Sequence, residues 1–416
     1  MRFKKFYEIT LFALIFIVGS NRVIFGPTSL SDQVFQKTFV ELVWWIVVFL
    51  LIIFLDQKNH QIIIILRSWK RFIPLIAFIL IAFLSLTWTS NFPATLYKVF
   101  VLCASSIAGA YLGVSFSIKK LIQAFAWIFG LVAIANLLVA IFFPKVGVNI
   151  GFPYYGAWQG IYWSKNYMGP FMAFGNMLSF FVIFAPEQRR RNQLLGIILY
   201  IMTLTLVVLS RCATAIILMT GVNGFFLLWF IWFRIKDRLK REHYVAIGCV
   251  MLVALLLIVL KANTILGFFK RDTTFSGRNE VWPYLFKNEI SKHPWMGSGF
   301  GAFWDTGDIR QFIQHENHWG MTPFVADNGY IDILLHLGIL GLVPFLATLG
   351  LACFRSLKYS IKNLDLLHVF PTLVLGFILV LNIILSFFLE MESLTWLILM
   401  IILLKTSMIS GINTVD

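Results

Sequence analysis

The sequence predicts an all-α, polytopic membrane protein with about twelve transmembrane helices and one large extracytoplasmic loop that contains short helices. Two features of composition predict this class. Hydrophobic residues make up 59% of the 416 residues, whereas charged residues make up only 13%. The hydrophobic residues also fall in blocks of about 20, the length that a helical span needs, rather than in the short alternating segments of a β-barrel.

Twelve apolar blocks define the predicted spans. The first block follows a basic start, as in a signal peptide, but its length and the lack of an A-x-A site favour an uncleaved span. In order, the spans cover roughly 9–25, 39–55, 72–89, 95–114, 121–143, 166–185, 194–209, 213–233, 243–261, 328–352, 368–389 and 393–408. The chain thus divides into spans one to nine (1–261), the large loop (262–327) and spans ten to twelve (328–416).

Basic residues predict the orientation of these spans. Alternate connections, counted from the N-terminus, hold 21 of the 34 Lys and Arg residues, whereas the short loops near Ser90 and Glu390 hold none. Because cytoplasmic loops are enriched in Lys and Arg, both termini are expected in the cytoplasm and the large loop outside. The same distribution explains the net charge of +15 without a nucleic-acid partner. The four cysteines show no CxxC spacing and indicate neither a disulfide framework nor a metal site.

The large loop contains a polar, aromatic stretch that begins at SGRNEVWPYLF. Pro283 fits only the first turn of a helix, so a helix is expected from about Asn279 to Ser291, with Trp282 in its first turn. Arg278 then lies at the positive end of the helix dipole, which is unfavourable for stability. An anion bound there would explain this position, although a solvated loop arginine is the alternative.

Two further basic residues are predicted on the outer side. Lys165 and Asn166 begin the sixth span in GIYWSKNYMG, and Arg211 lies in the tight link LSRCATA. Each cation has an alternative interpretation. Long basic side chains at span ends often extend to the membrane interface, and Lys165 and Arg211 would then have no role in binding a ligand.

A fourth polar feature, DNGYIDILLHLGILGL, opens the tenth span with Asp327, Asn328 and Tyr330. If the helix includes Asp327, this residue and Gly338 share a face, because they are 11 positions apart. An ionisable residue at such a site is a functional candidate. The alternative is that Asp327 or Asn328 only caps the helix.

The run HPWMGSGFGAFW ends at Trp304 and has GxGxG spacing without a preceding strand, which is weak evidence for nucleotide binding. It fits a tightly turning aromatic loop that either packs on the membrane surface or binds sugar faces. His315 and His318 are three positions apart, but with one nearby carboxylate they are a weak candidate for a metal site.

Taken together and in this order, these motifs resemble the O-antigen ligase/polymerase superfamily, in particular polysaccharide polymerases of the Wzy and ExoQ-like kind. The resemblance runs from about Gly160 to Leu342. It implies transfer of a glycan carried on undecaprenyl diphosphate, with Arg211 and Arg278 holding the diphosphate and Lys165 matching the family's KN position. Asp327 stands where ligases of the family have a histidine as the candidate base.

The function expected from this resemblance is polymerisation of lipid-linked repeat units at the outer face of the bacterial inner membrane. We expect catalysis by Asp327, Arg278 and Arg211 without a metal or cofactor. The residues expected to contact substrate are Lys165, Asn166, Asn328, Tyr330, Trp282, Trp304, His315 and His318. The expected partners are the lipid-linked donor and acceptor and a chain-length regulator. A ligase that acts on lipid A core or protein, and a transporter of lipid-linked sugars, are the alternatives.

Overall fold

The protein is an all-α polytopic membrane protein, as the sequence predicts. The computed structural model describes residues 31–57, 60–151, 154–184, 190–235, 278–305, 325–363, 366–388 and 394–412. Within these ranges eight helices are long and apolar enough to cross a membrane, or nine if the bent pair α1–α2 forms one span. The predicted spans 9–25 and 243–261 lie outside the described residues.

The helices follow the predicted apolar blocks in order. They are α1 (Ser31–Asp56), α2 (Gln61–Arg67), α3 (Ile73–Leu84, extended by 3₁₀ turns to Trp69 and Thr87), α4 (Phe92–Ser115), α5 (Ile118–Phe142), the short α6 (Pro144–Gly147), α7 (Lys165–Phe184), α8 (Arg190–Ser210), α9 (Ala213–Ile235), α10 (Arg278–Tyr284, continued by a π-helical turn to Ile290), α11 (Gly329–Asn363), α12 (Leu366–Ile384) and α13 (Leu394–Ile412).

Two groups of helices form the bundle. Helix α7 packs against α5, α8 and α9, and α11 packs against α3, α12 and α13. The second group meets at an aromatic cluster, in which the ring of Phe78 lies 5.2 Å from Phe345 and 5.9 Å from Trp396. These rings tie α3, α11 and α13 together by burial of large apolar surfaces.

Helix α11 departs from the predicted span in two ways. It continues to Asn363, beyond the predicted end at residue 352, because residues 353–363 hold no helix breaker. It is also kinked at Gly338, whose φ of 61° and ψ of −161° are not helical. The expectation that Asp327 and Gly338 share one helical face was therefore wrong: Asp327 precedes the helix with a φ of 52°.

The described part of the large loop lies at one end of the bundle, which we call the loop end. There Ser90, just before α4, donates a backbone hydrogen bond to Ser298 (3.2 Å), and Trp158 donates one to Leu209 near the end of α8 (3.0 Å). The start of α4 therefore lies at the loop end. The starts of α7 and α11 are joined to each other there, because Phe387 packs on Tyr167 (5.3 Å between ring centroids) and the adjacent Ser386 bonds to Asn328.

Candidate functional site

An ion pair between Arg278 and Asp327 forms the centre of the candidate site. The Nη2 atom of Arg278 lies 3.2 Å from Oδ2 of Asp327. The arginine side chain is 12% exposed and the aspartate side chain 41% exposed. Nε of Arg278 is buried and has no hydrogen-bond partner among the described residues. A buried donor without a partner is costly, so this geometry suits an anionic ligand that accepts from the guanidinium.

Arg278 is the first described residue of α10, one residue before the start predicted near Asn279, and Pro283 lies inside the helix as its sixth residue. Burial raises the pKa of the Asp327 carboxyl, and the charge and hydrogen bond of Arg278 lower it in part. The net effect is a carboxyl that holds a proton more readily than an exposed one. This is the direction that brings a carboxylate closer to the pKa of an effective general base.

Asn328, not Asp327, caps α11. Its Oδ1 accepts hydrogen bonds from the backbone N–H groups of Tyr330 (3.0 Å) and Ile331 (3.2 Å). Its own N–H donates to the hydroxyl of Ser386 (2.9 Å). The Asp327 carboxylate is therefore not used for capping.

Asp332, which the sequence reasoning missed, anchors the segment that carries Asp327. It is 1% exposed and accepts hydrogen bonds from Nε1 of Trp304 (2.7 Å) and the backbone N–H of Ala326 (3.1 Å). Nε1 of Trp282 donates to the carbonyl of Ala326 (2.8 Å). The N–H and the carbonyl of Ala326, the residue before Asp327, are therefore both hydrogen-bonded. The signal available in the sequence was an acidic residue inside an otherwise apolar span.

The GSGFG turn docks onto the kink in α11. The N–H groups of Ser298 and Gly299 donate to the carbonyls of Leu335 and His336, both at 3.0 Å. Beyond the kink, the N–H of Ile339 donates to the carbonyl of Pro294 (2.9 Å). The turn thus supplies partners for backbone groups that the kink removes from the helical pattern. The glycines of the GxGxG run pack this turn against α11. Packing on the membrane surface and binding of sugar faces, the two interpretations of this run, stay predictions.

Two buried polar side chains hold the same turn from behind. Nδ1 of His336 accepts a hydrogen bond from the N–H of Gly301 (2.9 Å), and Nζ of Lys98 donates to the Gly301 carbonyl. Both side chains are less than 10% exposed. They fix the turn that leads to Trp304 and so to Asp332.

A second cationic centre lies at the starts of α7 and α9. Lys165 is 4% exposed; its Nζ lies 4.3 Å from the ring centroid of Tyr154 and 3.3 Å from the carbonyl of Arg211. Arg211 is exposed with a φ of 49°, and its Nη1 donates to the carbonyl of Tyr155 (3.2 Å). Asn166 contacts Sγ of Cys212 through Oδ1 (3.6 Å). The structure therefore brings Lys165, Asn166 and Arg211 together.

The segment after α12 lies between the two centres. The ring of Phe387 packs on Tyr167 (5.3 Å between centroids) and Phe171 (5.7 Å) of α7. The adjacent Ser386 bonds to Asn328, next to Asp327. Both centres thus border one short segment at the loop end.

The remaining predicted residues are placed as follows. Tyr330 donates from its hydroxyl to the carbonyl of Leu379 (3.3 Å), and Trp304 is 4% exposed behind Asp327. His315 and His318 lie outside the described residues. Within the described part of the chain, no group of three His, Cys, Asp or Glu side chains is arranged to hold a metal ion.

A family model now connects these residues. Residues 197–346 match the O-antigen ligase family. The match spans Arg211, Arg278 and Asp327 and supports the O-antigen ligase/polymerase superfamily predicted from the motifs. Lys165 precedes the segment that matches the O-antigen ligase family. No curated protein matches the chain.

Proposed function

We propose that the protein is a membrane glycosyltransferase that polymerises undecaprenyl-diphosphate-linked repeat units at the outer leaflet of the bacterial inner membrane. One observation carries the proposal. The buried guanidinium of Arg278, with an Nε donor that has no partner among the described residues, lies beside the partly exposed carboxylate of Asp327. The first group suits a diphosphate and the second suits removal of a proton.

The proposed reaction is a single displacement at the anomeric carbon of the donor glycan. The acceptor sugar hydroxyl forms a bond to this carbon, and the bond from the carbon to the diphosphate oxygen breaks. The hydroxyl proton passes to the Asp327 carboxylate, and the electron pair of the broken bond leaves with the lipid diphosphate. Fixed cations lower the barrier because they stabilise the charge that develops on the leaving group.

The second cationic centre fits the same reaction. Arg211 is exposed at the loop end, and Lys165 is held beneath it by its hydrogen bond to the Arg211 carbonyl. We assign Arg211 to one phosphate of the lipid diphosphate and Arg278 to the other. Two separate arginines suit a diphosphate because each phosphate group accepts a bidentate pair of hydrogen bonds.

A ligase is the second candidate, because the matching family model describes O-antigen ligases. The donor side of the site would be the same, and only the acceptor would differ. Transport has less support. Lys98, a cation within the predicted span 95–114, donates to the Gly301 carbonyl and thereby holds the GSGFG turn.

Reconstitution of the purified protein with a lipid-linked oligosaccharide tests the proposal. A polymerase forms a ladder of longer lipid-linked chains, a ligase needs added lipid A core, and a transporter leaves the glycan unchanged. We expect a ladder from the wild type, and none from Arg278→Ala or Arg211→Ala at equal protein abundance. Wild-type ladders from both variants would contradict the assigned roles of the arginines.

A further inference from the structure

The end of the bundle opposite the loop end, here called the basic end, holds a pair of arginines outside the candidate site. Arg71 lies just before α3, and Arg355 lies in α11, 17 residues beyond the kink at Gly338. At about 1.5 Å per residue, this places Arg355 about 25 Å from the kink, close to the thickness of a bilayer core. Neither arginine can therefore contribute to chemistry at the loop end.

Backbone carbonyls fix both guanidinium groups. Nη1 of Arg355 donates to the carbonyl of Arg71 (3.2 Å), and Nη1 of Arg71 donates to the carbonyl of Ser407 in α13 (3.0 Å). Both side chains are half-buried, and both border the same crevice. In the described part of the chain, neither arginine pairs with a carboxylate.

This arrangement differs from arginines that only extend toward water at a span end. Two fixed cations that border one crevice attract an anion to the space between them. Each guanidinium has five donor hydrogens, and its one hydrogen bond to the described residues uses the Nη1 atom. The pair is therefore organised to bind an anion.

The walls around the arginines are apolar. They border a small, partly open crevice, and its apolar lining includes Phe72, Leu75, Leu351 and Leu403. Outside the crevice, Ile73 and Phe354 are more than half exposed on the same two helices. A ligand at this position would contact cations at one end and hydrocarbon along its length.

We propose that this crevice binds the phosphate group of an anionic membrane phospholipid, with an acyl chain lying against α3 and α11. Basic pockets between transmembrane helices are suited to such headgroups, because charge and depth in the membrane match together. A free phosphate ion has the same headgroup chemistry but gains nothing from the apolar walls. The site would tie α3, α11 and α13 together at the basic end.

The test measures binding of phosphatidylglycerol to the delipidated full-length protein by native mass spectrometry. The variant is R71Q/R355Q, and the matched control is K70Q/K358Q, which removes two exposed charges from the same helices. We expect the affinity of the arginine variant to be at least tenfold below that of the control, the effect of about one charge-assisted hydrogen bond. R71K/R355K, which keeps the charge without the planar fork, should give an intermediate value.

A competition measurement distinguishes a lipid headgroup from a free phosphate ion as the bound anion. Inorganic phosphate at millimolar concentration should not displace phosphatidylglycerol from the wild type; full displacement would show a soluble-anion site and overturn the lipid assignment. Equal affinities of the arginine variant and its control would overturn the site itself. If R71Q/R355Q does not fold, wild-type affinity in R71K/R355K would overturn the assignment to the guanidinium forks.

Discussion

At the residue scale, the candidate chemistry depends on a division of roles between two neighbouring residues. Asn328 caps α11 through its side-chain oxygen, so that the adjacent Asp327 carboxylate is available to pair with Arg278. The φ of 52° at Asp327 turns the chain out of the helix at this point, a conformation that aspartate adopts more readily than most residues. Capping and ion pairing are therefore separable by mutation.

We predict that Asp327→Asn lowers the turnover of lipid-linked glycan by about two orders of magnitude or more, because an amide cannot accept the hydroxyl proton. Its thermal stability should change little, since the cap belongs to Asn328. Glu289→Gln, which removes an acidic group paired with Lys292 in the same loop, is the control and should keep its activity. Near-normal turnover by Asp327→Asn would place the proton acceptor elsewhere, with His315 and His318 the next candidates.

The pH dependence offers a second test of this ion pair. Burial raises the pKa of Asp327 and Arg278 opposes that rise, so the carboxylate form is gained as pH increases through the raised pKa. The value of kcat/KM should therefore fall on the acid side at a pH above the usual carboxyl range near about 4. In Arg278→Gln, the residual activity should show this fall at a still higher pH.

A pH profile measured with the lipid-linked donor at low concentration would show the shift. An acid-side fall that does not move in Arg278→Gln would mean that another group titrates. A purely structural role for Arg278 would lower activity equally at all pH values.

At the element scale, the site depends on how the GSGFG turn docks on α11. The kink at Gly338 exposes carbonyls that the turn then bonds, and the same turn leads through Trp304 to the buried Asp332. A Cβ at residue 338 would overlap the backbone of Trp295, and the φ of 61° disfavours any other residue. The position of the GSGFG turn and the kink in α11 therefore both depend on Gly338.

We predict that Gly338→Ala lowers both thermal stability and activity, by more than the ~1–3 kcal/mol that a backbone conformation restricted to glycine costs, because the turn must also move. Gly350→Ala is the control: this residue lies in the same helix with open space around it, so alanine should be neutral or slightly stabilising. Thermal unfolding in detergent and turnover would be measured on both. A stable, active Gly338→Ala protein would show that the docked turn is dispensable.

At the scale of the whole molecule, the two ends of the bundle have different chemistry. The loop end holds Arg278, Asp327, Lys165 and Arg211, whereas the basic end holds Arg71 and Arg355. The distribution of Lys and Arg between alternate connections predicts that the loop end faces outward.

We predict that a topology reporter fused near Gly320 reads as external and one near Lys236 reads as cytoplasmic. Both positions lie outside the described residues, and the expectation comes from the distribution of Lys and Arg between alternate connections. Paired alkaline phosphatase and fluorescent protein fusions would make the measurement. Reversed signals at either position would overturn the orientation and move the candidate site to the other face of the membrane.

The sequence alone determined the fold class and the positions of the eight helices that are long and apolar enough to cross a membrane. The predicted span 393–408 falls on α13, which is not among these eight, and the predicted span 39–55 falls on the bent pair α1–α2. Block length and hydrophobicity are local properties, so the helices follow the predicted blocks, and Pro283 predicted a helix start near Asn279, one residue from the first described residue of α10. The order of the motifs also predicted the family that residues 197–346 match.

Only the tertiary structure decided which polar residues meet. The Arg278–Asp327 pair, the capping by Asn328 and the anchor at Asp332 depend on a left-handed residue and a kinked helix. These features arise because backbone groups of α11 and the GSGFG turn form hydrogen bonds with each other. The two segments are far apart in the sequence, so helical periodicity within one segment does not predict these contacts.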